Sequence, residues 1–491
     1  MKGYKNSIAE NQRVGYRKMI KWLNETLVSS RECFKREATY KWFIVVIIGL
    51  MIWQEHVGVT SFIRELWIDP KHYVSILHFF RSNAWKIETL RAWWLQMVLA
   101  SGVLYYEFGM PILVGDGTVK NKFGIKMPCV KRLSKKSGNE SRHYIFGHMF
   151  GAIGVLAGSA EKLFCIPLSV RIHDGDQQIQ QWADENAKTE SHVVRIIRES
   201  CQAAEGLKEK CLLLLDRYYL TVPALSAWLE EEKRVGNPLL SIIIRVKLNA
   251  KAYLKPERNP RGRPRKKGAA IKLINLVKLF RHQFTEANVV LYGKEEKISY
   301  YCVDLLWGQK LYRELRFVII CGIGSEPVFL ASTDLTLSPL SIMRLYGYRF
   351  KIECSFRELK HTIAGFAYRF WSTAMPKLNR FAKSGEDPLS AVEDSDDKRL
   401  ISSAYAAIQG FVMFGCIAHG LLQIGALLFT DEINAAPLRW LRTKTNTVPS
   451  EASTADYLRK TIFSMFHFSA DFSILRLIHQ LQLPSLFSRS S

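Results

Sequence analysis

Tyr346, Arg349, Glu353 and Lys360 lie in the run YGYRFKIECSFRELK, with the spacing Y-(2)-R-(3)-E-(6)-K. An α-helix turns about 100° per residue, so these four positions fall within roughly a 60° arc. One helix face would then carry a carboxylate, two cations and a phenol. Glu358 falls nearly opposite, which leaves Glu353 as the acid that belongs with the group. A carboxylate flanked by cations can hold a metal ion beside a phosphodiester while the cations grip neighbouring phosphates. A solvated charged face has the same composition, so the stripe acquires chemical meaning only with partners elsewhere in the chain.

The pattern resembles the YREK signature of DDE-class bacterial insertion-sequence transposases, the group numbered four, and matches it at all four positions. The resemblance implies two aspartates upstream, each at a strand end of a ribonuclease H-like α/β core. Asp116 closes the apolar run PILVGDGT, where flanking glycines leave little bulk around the acid; the same residues also suit a simple turn. Asp216 ends CLLLLDRYYL and is followed by the helix-like LTVPALSAWLEEEKR, with Pro223 near the helix start. Strand, acid, helix is the order that places a site at the ends of a parallel sheet. An acid after a fully apolar strand is otherwise costly. Its DR-aromatic sequence resembles the second-aspartate motif of the family.

Asp116, Asp216 and Glu353 are thus the expected catalytic and metal-binding triad. Three converging carboxylates repel unless a divalent cation neutralises them, and oxygen-only ligands suit Mg²⁺, with Mn²⁺ able to substitute. Two such ions about 4 Å apart can activate an attacking water or 3′-OH and stabilise the leaving oxygen. By resemblance, Tyr346, Arg349 and Lys360 contact DNA at the element end. The resemblance further implies cut-and-paste chemistry through hairpin ends, with strand transfer into target DNA. The implied partners are double-stranded DNA, namely terminal inverted repeats and target, and a second copy of the chain on paired ends.

These residues need a scaffold, and the 491-residue chain is long enough for several structural units. Apolar residues make up 48%, sufficient for a large core, and the net charge of +24 suits a polyanionic partner. The nine cysteines are scattered singly, with no CxxC and no zinc-type Cys/His spacing, as in a reducing cytoplasm. No apolar stretch near the start reads as a secretory signal. A cytoplasmic, nucleoid-associated protein without a membrane span is the expectation. Two stretches test it: Trp42 to Gln54 is uncharged but too short to cross, and Leu400 to Thr430 is long enough. The second carries Gln409, His419 and Gln423, and its glycines recur every five residues rather than along one helix face, so a buried helix beneath a sheet is the preferred reading.

Along the chain, residues 1–105 read as a helical domain, which the resemblance would use for DNA-end recognition. Residues 106–246 alternate strand-like and helix-like runs and form the first part of the ribonuclease H-like core. Lys120 to Lys136 adds seven bases and no acid just after Asp116, a candidate phosphate-gripping rim. Residues 247–335 form a β-rich basic insertion, residues 336–430 the last part of the core, and residues 431–491 a C-terminal helical region that could either pack on the core or mediate assembly.

The insertion opens on a basic run. Between Arg245 and Arg281 there are 13 Lys or Arg and one acid. Inside it, NPRGRPRKKG places Arg261, Arg263, Arg265, Lys266 and Lys267 together. An extended Arg-Gly-Arg-Pro fits a narrow minor groove, as in AT-hooks. A flexible basic linker gripping phosphates is the alternative. Trp307, in DLLWGQK, is a candidate for stacking on a flipped base, as relatives do with an aromatic in this insertion; a core role is the alternative.

Two other function classes stay open on sequence alone: a DNA-binding regulator of the same fold without catalysis, and a membrane-associated basic protein.

Overall fold

The computed structural model describes residues 2–53, 58–134, 144–257, 265–291, 294–379, 387–436 and 447–483. The amino-terminal third is helical, with helices at Lys2–Ser29, Glu37–Ile52 (α1), Val59–Glu65, Tyr73–Phe80 and Ile87–Ala100. Helix α1 is apolar round its whole girth, so it must be covered on every side. Phe43 to Ile48 have no solvent exposure at all.

A sheet follows. Its central strands are Met110–Asn121 (β1), Tyr144–Ser159 (β2), Lys162–Ile172 (β3), Cys211–Leu215 (β4) and Leu240–Val246 (β5). Strands β3, β2 and β1 form an antiparallel meander. Strand β4 then pairs parallel with β1, and β5 parallel with β4. The parallel pairs need crossovers. Helix α2 (His192–Leu207) follows β3 and leads into β4, and helix α3 (Val222–Val235) joins β4 to β5. Every residue of β4 is buried, as expected for a strand covered on both faces.

The β-rich stretch after residue 247 is not a separate sheet. Its long strands are Lys294–Trp307 (β6), Arg313–Cys321 (β7) and Val328–Ser332 (β8), and β8 pairs antiparallel with β5. The whole is one 13-stranded sheet. The reason is an edge: β5 would otherwise present unpaired backbone groups to solvent, and β8 takes them.

Beyond β8 come helices α4 (Pro339–Gly347), α5 (Lys351–His361) and α6 (Ser395–Leu428). Helix α6 is long and apolar enough to cross a bilayer, yet 89% of its most apolar window is buried inside the protein. It packs against β3 and α1, with Phe414 stacked 5.4 Å from Phe79 and edge-on to Phe43 at 5.6 Å. The five-residue glycine spacing has a packing cause. Gly410 lies against Trp85 and Gly420 against Trp94, and a methyl at either would sit 2.6 or 2.3 Å from the indole. Each glycine meets a different neighbour, which explains why they share no face. Of the helices beyond α6, Glu451–Met465 and Ser473–Leu481 pack back on the amino-terminal helices, and Thr430–Ala435 reaches Lys2–Ser29 through the Lys18–Glu432 ion pair. The nine cysteines are all free.

Candidate active site on two neighbouring parallel strands

Asp116 and Asp216 occupy matching places on neighbouring strands. Gly115 of β1 is the register partner of Leu215 of β4, and each aspartate is the next residue. The two strands run parallel, but β4 stops at Leu215 while β1 runs on to Asn121 in its pairing with β2, so Asp216 follows a strand end and Asp116, expected at one, lies within its strand.

Asp116 is mostly sunk, with 21% of its side chain exposed. Its Oδ1 accepts from the Gly117 N–H at 2.7 Å and from the Tyr219 hydroxyl at 3.4 Å. Burial raises its pKa to about 6, against the pull of the Gly117 N–H and the Arg349 guanidinium; the charges of Asp216 and Glu353 push it further up. A carboxyl in this state gains from any added cation.

Ser338 caps helix α4, its side chain accepting from the Ser341 N–H with Pro339 at the first turn. The run expected as one α-helix is interrupted: α4 ends at Gly347, a 3-10 turn spans Tyr348–Phe350, and α5 begins at Lys351. Gly347, Tyr348, Phe350 and Lys351 all keep right-handed helical angles, so the chain continues from α4 into α5 through a tighter turn. The tightening falls on Arg349.

All four residues of the stripe reach the two aspartates or their neighbours. Arg349 is the hub: its Nη1 lies 3.1 Å from Asp116 Oδ2 and its Nη2 lies 2.5 Å from Glu353 Oε1. Both carboxylates touch one planar guanidinium, which puts those oxygens within about 8 Å of each other. Tyr346 donates to Asp216 Oδ1 at 3.5 Å. Lys360 Nζ donates to Thr118 Oγ1 at 2.6 Å, two residues past Asp116, and burial together with the charge of Lys120 lowers its pKa. Glu358 is engaged elsewhere, with Arg357 and Thr362. Among the described residues, no three His, Cys, Asp or Glu side chains are gathered closely enough to form a metal-binding group. The expected pair of ions therefore has no ready-made carboxylate cage here; a guanidinium sits between Asp116 and Glu353.

The basic residues of the insertion divide. Arg261 and Arg263 lie outside the described residues. Arg265 and Lys266 are exposed. Lys267 stands over two rings, 4.3 Å from that of Tyr253 and 5.3 Å from that of Tyr312. Trp307 is half-buried at the end of β6 and lines a cavity of about 250 Å³ with Arg217, Lys247, Lys251 and Tyr253.

Sequence reasoning missed Thr118 and Tyr219. Tyr219 is three residues past Asp216, and its N–H bonds the Asp216 carbonyl at 3.1 Å in a turn. That turn throws the phenol across to Asp116. The tyrosine pair after Asp216 was visible in the sequence, but nothing there says which ring turns back.

Residues 183–371 match the family model of the transposase DDE domain. The match contains Asp216 and the whole stripe from Tyr346 to Lys360, and begins after Asp116. No curated protein matches the chain. Among solved structures, a cryo-EM structure of the piggyBac transposase synaptic complex with hairpin DNA is similar at 12% identity and a TM-score of 0.36. The likeness covers 96% of this chain and 80% of that one, and is too loose to carry an argument about fold or chemistry.

Proposed function

We propose that this chain, a DDE-class transposase by its domain match, cuts DNA at element ends and transfers the strands, using Asp116, Asp216 and Glu353 as its catalytic acids. The observation that carries this reading is the register that sets Asp116, within β1, beside Asp216, just past the end of β4, with Arg349 joining Asp116 to Glu353. A ribonuclease H-like core is supported by the strand order, three antiparallel strands followed by two parallel ones.

The donor set fits a hard divalent cation. All three side chains offer oxygen alone, and the raised carboxyl of Asp116 favours a positive neighbour. Asp116, Asp216 and Glu353 would hold Mg²⁺ or Mn²⁺, which supplies activation of the attacking hydroxyl and charge stabilisation at the leaving oxygen. Arg349 presently satisfies two of these acids. Release of Glu353 frees one arm of its fork for a DNA phosphate, a planar bidentate partner for guanidinium. Tyr346 orients Asp216. Lys360, held beside Asp116 by Thr118, grips a phosphate next to the scissile one.

The substrate is double-stranded DNA carrying terminal inverted repeats, with target DNA as the second partner. The net charge of +24 and the exposed Arg265 and Lys266 favour a polyanion. Hairpin-ended cut-and-paste, a homodimer on paired ends and nucleoid association complete the proposal; they rest on the YREK resemblance. The test is a cleavage assay on DNA bearing the sequences that flank the gene, with Mg²⁺. Strand cleavage undiminished in Asp116→Asn, Asp216→Asn or Glu353→Gln would falsify the assignment.

A further inference from the structure

Beside Asp116 lies a row of polar side chains, half-buried at His192 and buried at Tyr219, His173 and Glu199. The Tyr219 hydroxyl touches Asp116 Oδ1 at 3.4 Å. His192 Nε2 is 2.9 Å from that hydroxyl, His192 Nδ1 is 2.9 Å from His173 Nδ1, and His173 Nε2 is 2.9 Å from Glu199 Oε1. The four residues come from three places in the fold: Tyr219 from the turn after β4, His192 and Glu199 from α2, and His173 from just past β3. His173 is wholly buried and Glu199 nearly so.

Space has been cleared for this row. A methyl at Gly117 would lie 2.8 Å from His192 Nε2, and one at Gly151 would lie 2.1 Å from the His173 ring. Contacts that short do not occur, so the strands carry glycine where the imidazoles pass. The second glycine of the Gly-Asp-Gly run thereby has a definite role: it admits His192 to the flank of Asp116.

The hydrogen-bond directions follow by elimination. A carboxylate only accepts, so the single Tyr219 proton goes to Asp116. His192 Nε2 must then donate to the phenol oxygen. Its Nδ1 is bare in the neutral ring and accepts from His173. Burial and the neighbouring His173 lower the His192 pKa to about 3, which keeps the ring neutral. His173 turns its other nitrogen to Glu199. Burial would raise the Glu199 pKa, but His173 and then Arg171, whose Nε is 3.7 Å away, more than offset it and hold it at about 2. Glu199 is therefore an anion and accepts from His173 Nε2; His173 donates on both sides, and from its Nδ1 onward, through His192 and Tyr219, each proton points toward Asp116.

We propose that Tyr219 and His192 are positioning residues of the active site, backed by His173 and Glu199, which together aim one fixed O–H at Asp116 Oδ1. With Oδ1 taken up by Tyr219 and the Gly117 N–H, Oδ2, the oxygen now bonded to Arg349, is left as the one presented to a cation. This rests on Asp116 being a catalytic acid. Without the row, the carboxyl can rotate about its terminal torsion, which is soft.

The experiment uses the full chain, DNA bearing the gene's flanking sequences, and Mg²⁺ as the probe. Tyr219→Phe deletes one oxygen and leaves the ring. It is expected to lower kcat for strand cleavage by about tenfold to a hundredfold, the range a small misplacement costs. It is also expected to raise the Mg²⁺ concentration for half-maximal rate at least threefold, with DNA affinity unchanged. His192→Leu should do the same, and the double variant should lose no more than either single, because the row acts as a unit. His192→Gln, whose amide nitrogen can reach the place of Nε2, should restore most of the rate. A purely structural role would move the melting temperature without moving the Mg²⁺ requirement.

Wild-type kcat and Mg²⁺ dependence in Tyr219→Phe overturns the proposal, as does multiplication of the two losses in the double variant. Asp116→Asn, run alongside, separates the two levels. If it is inactive while Tyr219→Phe is fully active, the positioning role alone falls. If it cleaves like wild type, the assignment of Asp116 falls and takes this inference with it. Should His192→Leu fail to fold, the Tyr219→Phe result decides the matter.

Discussion

Arg349 places Nη1 3.1 Å from Asp116 Oδ2, across 233 positions of sequence, while its other arm holds Glu353. The pairing joins the middle of strand β1 to the turn between α4 and α5. It neutralises two acids that would otherwise repel, and it is the contact that draws Glu353 to Asp116.

If Asp116 and Glu353 are catalytic, Asp116→Asn and Glu353→Gln should each lower the strand-cleavage rate by about a thousandfold or more, since members of a cooperating set fail singly. DNA binding, measured by fluorescence anisotropy, should change by less than threefold. Chelation of the divalent ion with EDTA should reproduce the loss in wild type, and adding back Mg²⁺ should reverse it.

Arg349→Lys tests the fork. A lysine keeps the charge but cannot bond both carboxylates in one plane. Cleavage should fall by about tenfold to a hundredfold, a cost of roughly 1.4 to 2.8 kcal/mol in the barrier. The change is read as kcat at saturating DNA.

Lys360→Met should weaken DNA binding about equally for all sequences, because a phosphate contact carries no base information. The plot of log K against log salt should lose about one unit of slope. Arg265→Ala combined with Lys266→Ala, on the exposed part of the insertion, should remove about two. Unchanged slopes in either case mean these cations do not meet DNA.

His148 predicts acid sensitivity. It is fully buried, with Nε2 donating to the Pro128 carbonyl at 2.8 Å and Nδ1 accepting from the Tyr368 hydroxyl at 2.6 Å. Burial lowers its pKa to about 3. The unfolded chain takes up this proton near pH 6.5 and the folded one only near 3, so acid favours unfolding throughout that window. Each pH unit below 6.5 should remove about 1.4 kcal/mol until the folded ring titrates. The contribution is fully present above pH 6.5. Urea unfolding of wild type and His148→Gln between pH 7 and 4 checks it: the variant, although less stable at neutral pH, should have the flatter profile.

Much of the site was legible as spacing. The Tyr346–Lys360 stripe and the acid closing CLLLL are local patterns, set by helix and strand periodicity, and such patterns survive translation into structure. The joint at Arg349 was not legible, because a 3-10 turn differs from an α-turn by a hydrogen bond that no residue type in YGYRFK dictates. The extent of the sheet was hidden for a different reason. The strands after residue 247 read as an insertion, but pairing of β8 with β5 is a long-range choice driven by an open edge, and edges do not appear in a sequence.

What the sequence determined alone is which residues carry charge and where each lies on its own strand or helix, since periodicity is a property of neighbours along the chain. The tertiary structure decided which of them meet. It set Asp116 beside Asp216 through strand register, turned Arg349 between two acids, and ran the row from Glu199 to Tyr219 through gaps left by Gly117 and Gly151. Each of those meetings depends on packing between segments tens to hundreds of residues apart, and the free energy of such packing belongs to the folded whole rather than to any stretch of sequence.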